Sequence, residues 1–259
     1  MSKVTILGVK IDDVNMDEAL IRIEKWIWNP GKHYIVTPNL EFILAAQKDV
    51  EFKRILNNAD LAIPDSSSLG FSYWLLKKSI LERLLFWPLF FIPLKQMIQF
   101  ARVSGTDLMD ALCGVAAEKG FVVGFLGGGK RVAEKTAECL KKKYPGLKVA
   151  FAESGMKVDR NGEWTDSSFD IPPVDILFVA FGHIKQEKWI ANNLDKIPVK
   201  IAMGVGGAFD YLSGRILRAP IWIRELGFEW LFRLAVQPWR IRRQLVLLKY
   251  LWLIILRSD

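Results

Sequence analysis

Along the chain, short apolar runs alternate with longer stretches whose apolar positions recur at helical spacing. Residues 4–11 read as a strand, and residues 16–28 as a helix with Leu20, Ile23 and Ile27 on one face. A short strand at 34–36 runs into Thr37, Pro38 and Asn39, and a helix follows over 40–56. Residues 61–63 form a short buried strand ending in Pro64, Asp65 and Ser66. A helix over 107–118 leads to a strand over 121–126 and then to Gly127, Gly128 and Gly129. The next pair is a helix over 132–143 and a strand over 148–152. Residues 175–181 are a continuous apolar strand followed by Gly182 and a helix from about residue 186. The strand over 199–203 ends at Gly204, Val205, Gly206 and Gly207. Strands alternating with amphipathic helices predict an α/β fold: a Rossmann-like, largely parallel sheet with helices on both faces.

Two segments break that rhythm. Residues 84–94 are apolar but contain Pro88 and Pro93, and residues 245–256 are apolar but interrupted by Lys249. Both are shorter than the roughly 20 residues a membrane-crossing helix needs. An oligomer interface is one destination for such surface. The expectation here is docking at a membrane surface, with Trp87, Trp239, Tyr250 and Trp252 at headgroup depth and Arg240, Arg242, Arg243 and Arg257 on anionic lipid. The organisation expected is an α/β core over 1–209, with an apolar insertion at about 75–103, and a helical, membrane-associating appendage over 210–259.

Composition sharpens that picture. The net charge is +8, and residues 215–259 hold nine Lys or Arg against three acidic residues. Basic residues interleaved with Trp and Leu suit an anionic membrane better than nucleic acid. Hydrophobic residues make up 51% of the 259, so surface beyond an ordinary core needs covering. The two cysteines, Cys113 and Cys139, read as reduced core thiols rather than a disulfide framework. The N-terminus has no signal-peptide pattern.

The candidate chemistry gathers where strands end. In a parallel sheet these ends share one rim, where ligands bind. Thr37, Asn39 and Asp65 fall there, and Asp65 is either a general base or a turn residue after Pro64. Gly127, Gly128 and Gly129 let backbone N–H groups approach a diphosphate, and Glu153 after the next strand could accept from a ribose hydroxyl. Gly204, Gly206 and Gly207 repeat that logic. Gln186 and Glu187, at a helix start, read either as a uracil, sugar or phosphate contact or as a solvated first turn. His33 and His183, the only histidines, lack the partners of a metal site. From these features alone an NAD-type oxidoreductase and a non-catalytic basic membrane adaptor stay open as alternatives.

Residues 204–234, GVGGAFDYLSGRILRAPIWIRELGFEWLFRL, closely resemble the C-terminal signature of the WecG/TagA/CpsF glycosyltransferases, and the match continues through Pro238, Arg240 and Arg243. Thr37 to Asn39, Pro64 with Asp65, Gly105 to Leu108, and Phe181, Gly182, Gln186 and Glu187 resemble the family's other blocks. The resemblance implies inverting transfer of an N-acetylmannosamine-type sugar from a UDP donor. Its acceptor would be a polyprenyl-diphosphate-linked GlcNAc, on the cytoplasmic face of a bacterial plasma membrane. Wall teichoic acid or exopolysaccharide synthesis would use the product. It makes Asp65 the base, with Thr37 and Asn39 as pocket neighbours. It also places Arg215, Arg218, Arg224 and Arg233 where the tail closes over the donor diphosphate. No acidic pair has metal-binding spacing, so no metal or other cofactor is expected. Three departures stand out: Ser66 where the family commonly has Gly, Ile184 where it commonly has Pro, and residues 75–103, longer and more apolar than usual between the Asp65 and Gly105 blocks.

Overall fold

The structure is a computed structural model that describes residues 3–91, 103–165, 169–225, 228–238 and 241–256. The chain opens with an antiparallel hairpin of β1 (Lys3–Ile6) and β2 (Val9–Asp12) rather than the single strand its apolar run predicts. Leu7 (φ 50°) and Gly8 (φ 77°) reverse the chain between them, as a tight hairpin turn requires. Helix α1 (Met16–Trp28) begins at a reciprocal cap between Asn15 and Glu18 and buries Ala19, Ile23 and Ile27.

Strand β3 (His33–Val36) is followed by two helices where the spacing predicts one: α2 (Leu40–Ala46) and α3 (Val50–Asn58). Asp49 makes the break by accepting the Phe52 N–H at 2.9 Å and starting a new helix. After β4 (Leu61–Ala62) come α4 (Ser67–Leu76), α5 (Ile80–Phe86) and a 3₁₀ turn over Trp87–Phe91. The second half runs α6 (Gly105–Lys119), β5 (Val122–Gly127), α7 (Val132–Lys143), β6 (Lys148–Glu153), β7 (Val174–Ala180), α8 (Lys185–Asn193) and β8 (Val199–Gly204). The tail holds α9 (Ala208–Leu212), α10 (Ile221–Glu225), α11 (Glu229–Val236) and α12 (Ile241–Leu256).

Six strands form one parallel sheet in the order β4-β3-β8-β7-β5-β6. Its side chains alternate between two cores. Ile176 and Phe178 of β7 face a core shared with α1, α6, α7 and α9, while Leu177 and Val179 face α8. The expected α/β sheet with helices on both faces is therefore present.

A further core joins the hairpin, α2, α3, α4 and the outer end of α12. Tyr250 and Ile254 of α12 are fully buried in it. This corrects the expectation for Tyr250, which lies in the protein interior and not at headgroup depth. Arg83 of α5 locks the arrangement by donating to the carbonyls of Leu76 (2.6 Å), Lys78 (2.9 Å) and Ile254 (3.4 Å). Leu81, Leu84, Leu85, Trp87, Trp252 and Leu256 remain exposed on α5, the 3₁₀ turn and α12. Residues 92–94 of the first apolar run lie outside the described residues, as do Trp239, Arg240, Arg257 and the side chains of Arg242 and Arg243. No described helix is long and apolar enough to cross a membrane.

Candidate active site

The parallel sheet brings the ends of β3, β4, β5, β6, β7 and β8 to one rim, and with them the candidate residues. At the β4 end the chain is stitched to its neighbour strand. The Ile63 N–H donates to the Val36 carbonyl (2.9 Å), and the Asp65 N–H to the Pro38 carbonyl (3.1 Å). Asp65 Oδ1 then accepts the backbone N–H of Gly105, the first residue of α6, at 2.9 Å. Gly105 also sits against Thr37: a Cβ at residue 105 would lie 3.3 Å from Thr37 Oγ1. Thr37, Asp65 and the first turn of α6 thus form one cluster. Asn39 borders it as the cap of α2, its Oδ1 accepting from the N–H groups of Glu41 (2.9 Å) and Phe42 (3.2 Å).

The tail reaches this cluster through two arginines. Arg218 grips Asp107 of α6 with both terminal nitrogens, at 2.5 and 2.8 Å, and donates to Ser104 Oγ at 3.2 Å. Arg224 Nη1 reaches the two Asp107 oxygens at 3.3 and 3.5 Å. Burial works against the Arg218 charge, but the hydrogen bonds and charge of Asp107, followed by Glu229 and Asp65, outweigh it and hold the guanidinium firmly protonated. Arg218 Nε is buried with no hydrogen-bond partner among the described residues.

The glycine-rich loop after β5 lies four strand positions from β4, roughly 19 Å by strand spacing, with the Gly204 loop between them. Gly127 and Gly128 both have positive φ, 96° and 81°. A Cβ at residue 127 would meet the Ala180 carbonyl oxygen at 2.9 Å, so only glycine fits there. Arg215 lies over Gly129, where a Cβ would come within 2.6 Å of its Nη1. Arg215 also meets Asp210 at 3.4 Å. Arg215 and Arg218 are three residues apart, so their Cα atoms are at most about 11 Å from each other. Their side chains reach out in two directions, one to the β5 loop and one to the β4 cluster. A cleft of about 520 Å³ opens beside Arg215, lined by Asp210, Ile216, Leu217, Val236 and Gln237.

Other candidates lie elsewhere on the rim. Glu153 ends β6 and is half-buried. Its neighbour Ser154 accepts the Ala133 N–H at 2.9 Å and donates to Glu134, covering the start of α7. Gln186 and Glu187 are not a solvated first turn, because both are buried. Gln186 Oε1 accepts the Gly206 N–H (3.1 Å), and its amide donates to Glu187 Oε1 (2.6 Å). Glu187 Oε2 accepts the Ile184 N–H at 2.6 Å. Loss of solvent pushes the Glu187 carboxyl up to about 7. The pair packs against Gly204, where a Cβ would fall 2.7 Å from Glu187 Oε1. Gly207 is open, with nothing near the place a Cβ would take. Ile184 has φ 72°, a backbone conformation closed to proline. Arg233 pairs with Glu229 at 2.6 Å and lies 4.8 Å above the Tyr211 ring.

His33 begins β3 and pairs with Asp60 at 3.0 Å, at the opposite end of the sheet from His183. Ser104 and Asp107, which hold Arg218, and Asp210 and Gln237, which line the cleft beside Arg215, gave no sign in the composition. Asp107 was visible only as part of the Gly105 to Leu108 block.

The profile of the glycosyl transferase WecG/TagA/CpsF family matches residues 4–258. The chain belongs to this family. It is therefore a glycosyltransferase, which removes the oxidoreductase and adaptor alternatives. Its relatives include two proteins named N-acetylglucosaminyldiphosphoundecaprenol N-acetyl-beta-D-mannosaminyltransferase. The Bacillus subtilis (strain 168) protein is 31% identical over 227 residues, covering 85% of this chain and 80% of the relative. The Staphylococcus aureus (strain MRSA252) protein is 27% identical over 244 residues, covering 93% and 88%.

Proposed function

We propose that this glycosyltransferase moves an N-acetylmannosamine-type sugar from a UDP donor to a polyprenyl-diphosphate-linked GlcNAc, with inversion, for a surface polysaccharide such as wall teichoic acid. The observation that carries the reading is the meeting of Asp65, Thr37 and two tail arginines around the first turn of α6. The names of the relatives supply the donor and acceptor sugars.

Asp65 takes the proton from the acceptor hydroxyl as that oxygen attacks the anomeric carbon. The bond from that carbon to the UDP oxygen breaks on the opposite side, and UDP leaves with the electron pair. Negative charge builds on the departing diphosphate, where Arg218 and Arg224 stabilise it more strongly than in the ground state, while Arg215, over the β5 loop, serves the nucleotide end of the donor. The β5 and β8 glycine loops leave room for the donor along the same rim, with nothing near the place a side chain would take at Gly207. The residue set does this work with charges of its own, and no metal is assigned. Exposed Ile221, Trp222, Trp230 and Leu231 on α10 and α11, beside the basic tail, support docking on the anionic face of the membrane where a lipid-linked acceptor resides.

The test is a screen of UDP-sugars against lipid-diphosphate-GlcNAc in micelles, with the product read by mass. UDP-N-acetylmannosamine is expected to give a disaccharide-lipid. Asp65→Asn is expected to lose at least about 100-fold in turnover while still binding UDP. Transfer only from a different sugar class would overturn the donor assignment, and an active Asp65→Asn would overturn the mechanism.

A further inference from the structure

The first turn of α6 holds two carboxylates at once. Gly105 gives its N–H to Asp65, and two residues later Asp107 receives the tail. The fork of Arg218 closes on both Asp107 oxygens, and Arg224 approaches the same two atoms from α10. Two guanidinium groups this close repel one another unless an anion sits between them. A carboxylate in the first turn of a helix is favoured by the helix dipole, so Asp107 is a stable anchor for both. The tail and the base of the reaction are consequently seated on the same helical turn.

We propose that Asp107 is a positioning residue for sugar transfer: it docks Arg218 and Arg224 beside Asp65, where their charges face the departing diphosphate. This rests on the transferase mechanism given above. Asp107 acts through the arginines and touches neither sugar nor diphosphate itself. Its side chain is 41% exposed, and the face of α6 turned to the core is built from Leu108, Met109 and Leu112 instead.

The experiment compares the unaltered chain with Asp107→Asn and Asp107→Glu. Each is assayed for transfer in micelles, for thermal unfolding, and for trypsin cleavage within residues 215–233 in the absence of substrates. Asp107→Asn is expected to unfold within a few degrees of the unaltered chain but to be cut several-fold faster in that segment. Its kcat is expected to fall by about tenfold or more while KM for the UDP-sugar changes less than about threefold, because the arginines act mainly on charge that develops during transfer. Asp107→Glu is expected to recover most of both losses. Cleavage and kcat at the unaltered values in Asp107→Asn would overturn the proposal, as would an Asp107→Glu no better than Asp107→Asn. If the unaltered chain transfers no sugar from any UDP donor, the functional reading fails. The trypsin comparison alone then decides whether Asp107 docks the tail.

Discussion

Gly105 donates its backbone N–H to Asp65 Oδ1 at 2.9 Å, joining a helix start to the carboxylate at the end of β4. The same glycine has Thr37 where a side chain would begin. The bond holds the Asp65 carboxylate in one orientation at the rim and places the positive end of α6 beside it.

That bond can be isolated by two substitutions at residue 105. Gly105→Ala keeps the N–H and adds only a Cβ, 3.3 Å from Thr37 Oγ1 and Cγ2. Gly105→Pro adds the same crowding and removes the N–H, at a first helical position where proline is well tolerated. The proline variant is expected to be about tenfold or more slower than the alanine variant, in line with a hydrogen bond to a charged group. Equal rates in the two variants would show that the bond has no part in turnover.

Ile184 tests the turn that leads into α8. Its φ of 72° cannot be reached by proline, and its N–H is held by Glu187 at 2.6 Å. Ile184→Pro is therefore expected to destabilise the chain by about 3 kcal/mol. Thermal unfolding measures this, and an unchanged midpoint would contradict the turn geometry.

Glu187 gives stability a pH dependence of definite sign. Its folded-state carboxyl is raised from the ordinary 4.5 to about 7 by burial. The folded chain thus holds that proton more tightly than the unfolded chain. The stabilisation is complete below about pH 4.5 and is lost as pH rises to about 7, a change on the order of 3 kcal/mol. Glu187→Gln removes the titrating group. Denaturant titrations of both proteins across this window are expected to show a decline in the unaltered chain that the variant lacks; parallel curves would exclude the effect.

Tyr250 tests how the tail is held. Truncating it in Tyr250→Ala empties a fully buried site between α12 and the α2–α4 region, and is expected to cost about 3 kcal/mol or more. Trp252→Ala, at an exposed position on the same helix, is expected to leave stability within about 0.5 kcal/mol. If the two substitutions cost the same in a melting experiment, α12 does not pack as described.

The sequence alone determined the α/β class, because apolar runs and helical spacing are local properties that each segment carries for itself. The ranges of α1 and α7 agree with that spacing, and the strand ends bearing Asp65, Gly127 and Gly204 follow from where the apolar runs stop. The resemblance of residues 204–234 pointed to the family. Strand order did not follow from any of this, since pairing joins segments far apart in the chain. Only the tertiary structure set Asp65 and Gly127 on opposite halves of the sheet and let Arg215 and Arg218 reach toward both. The break at Asp49 was hidden because an aspartate that caps a new helix looks, in sequence, like one on the polar face of a continuous helix. Burial of Gln186, Glu187 and Tyr250 was equally hidden, because neither a polar residue at a helix start nor a tyrosine in a basic tail shows, from its own segment, whether other segments cover it.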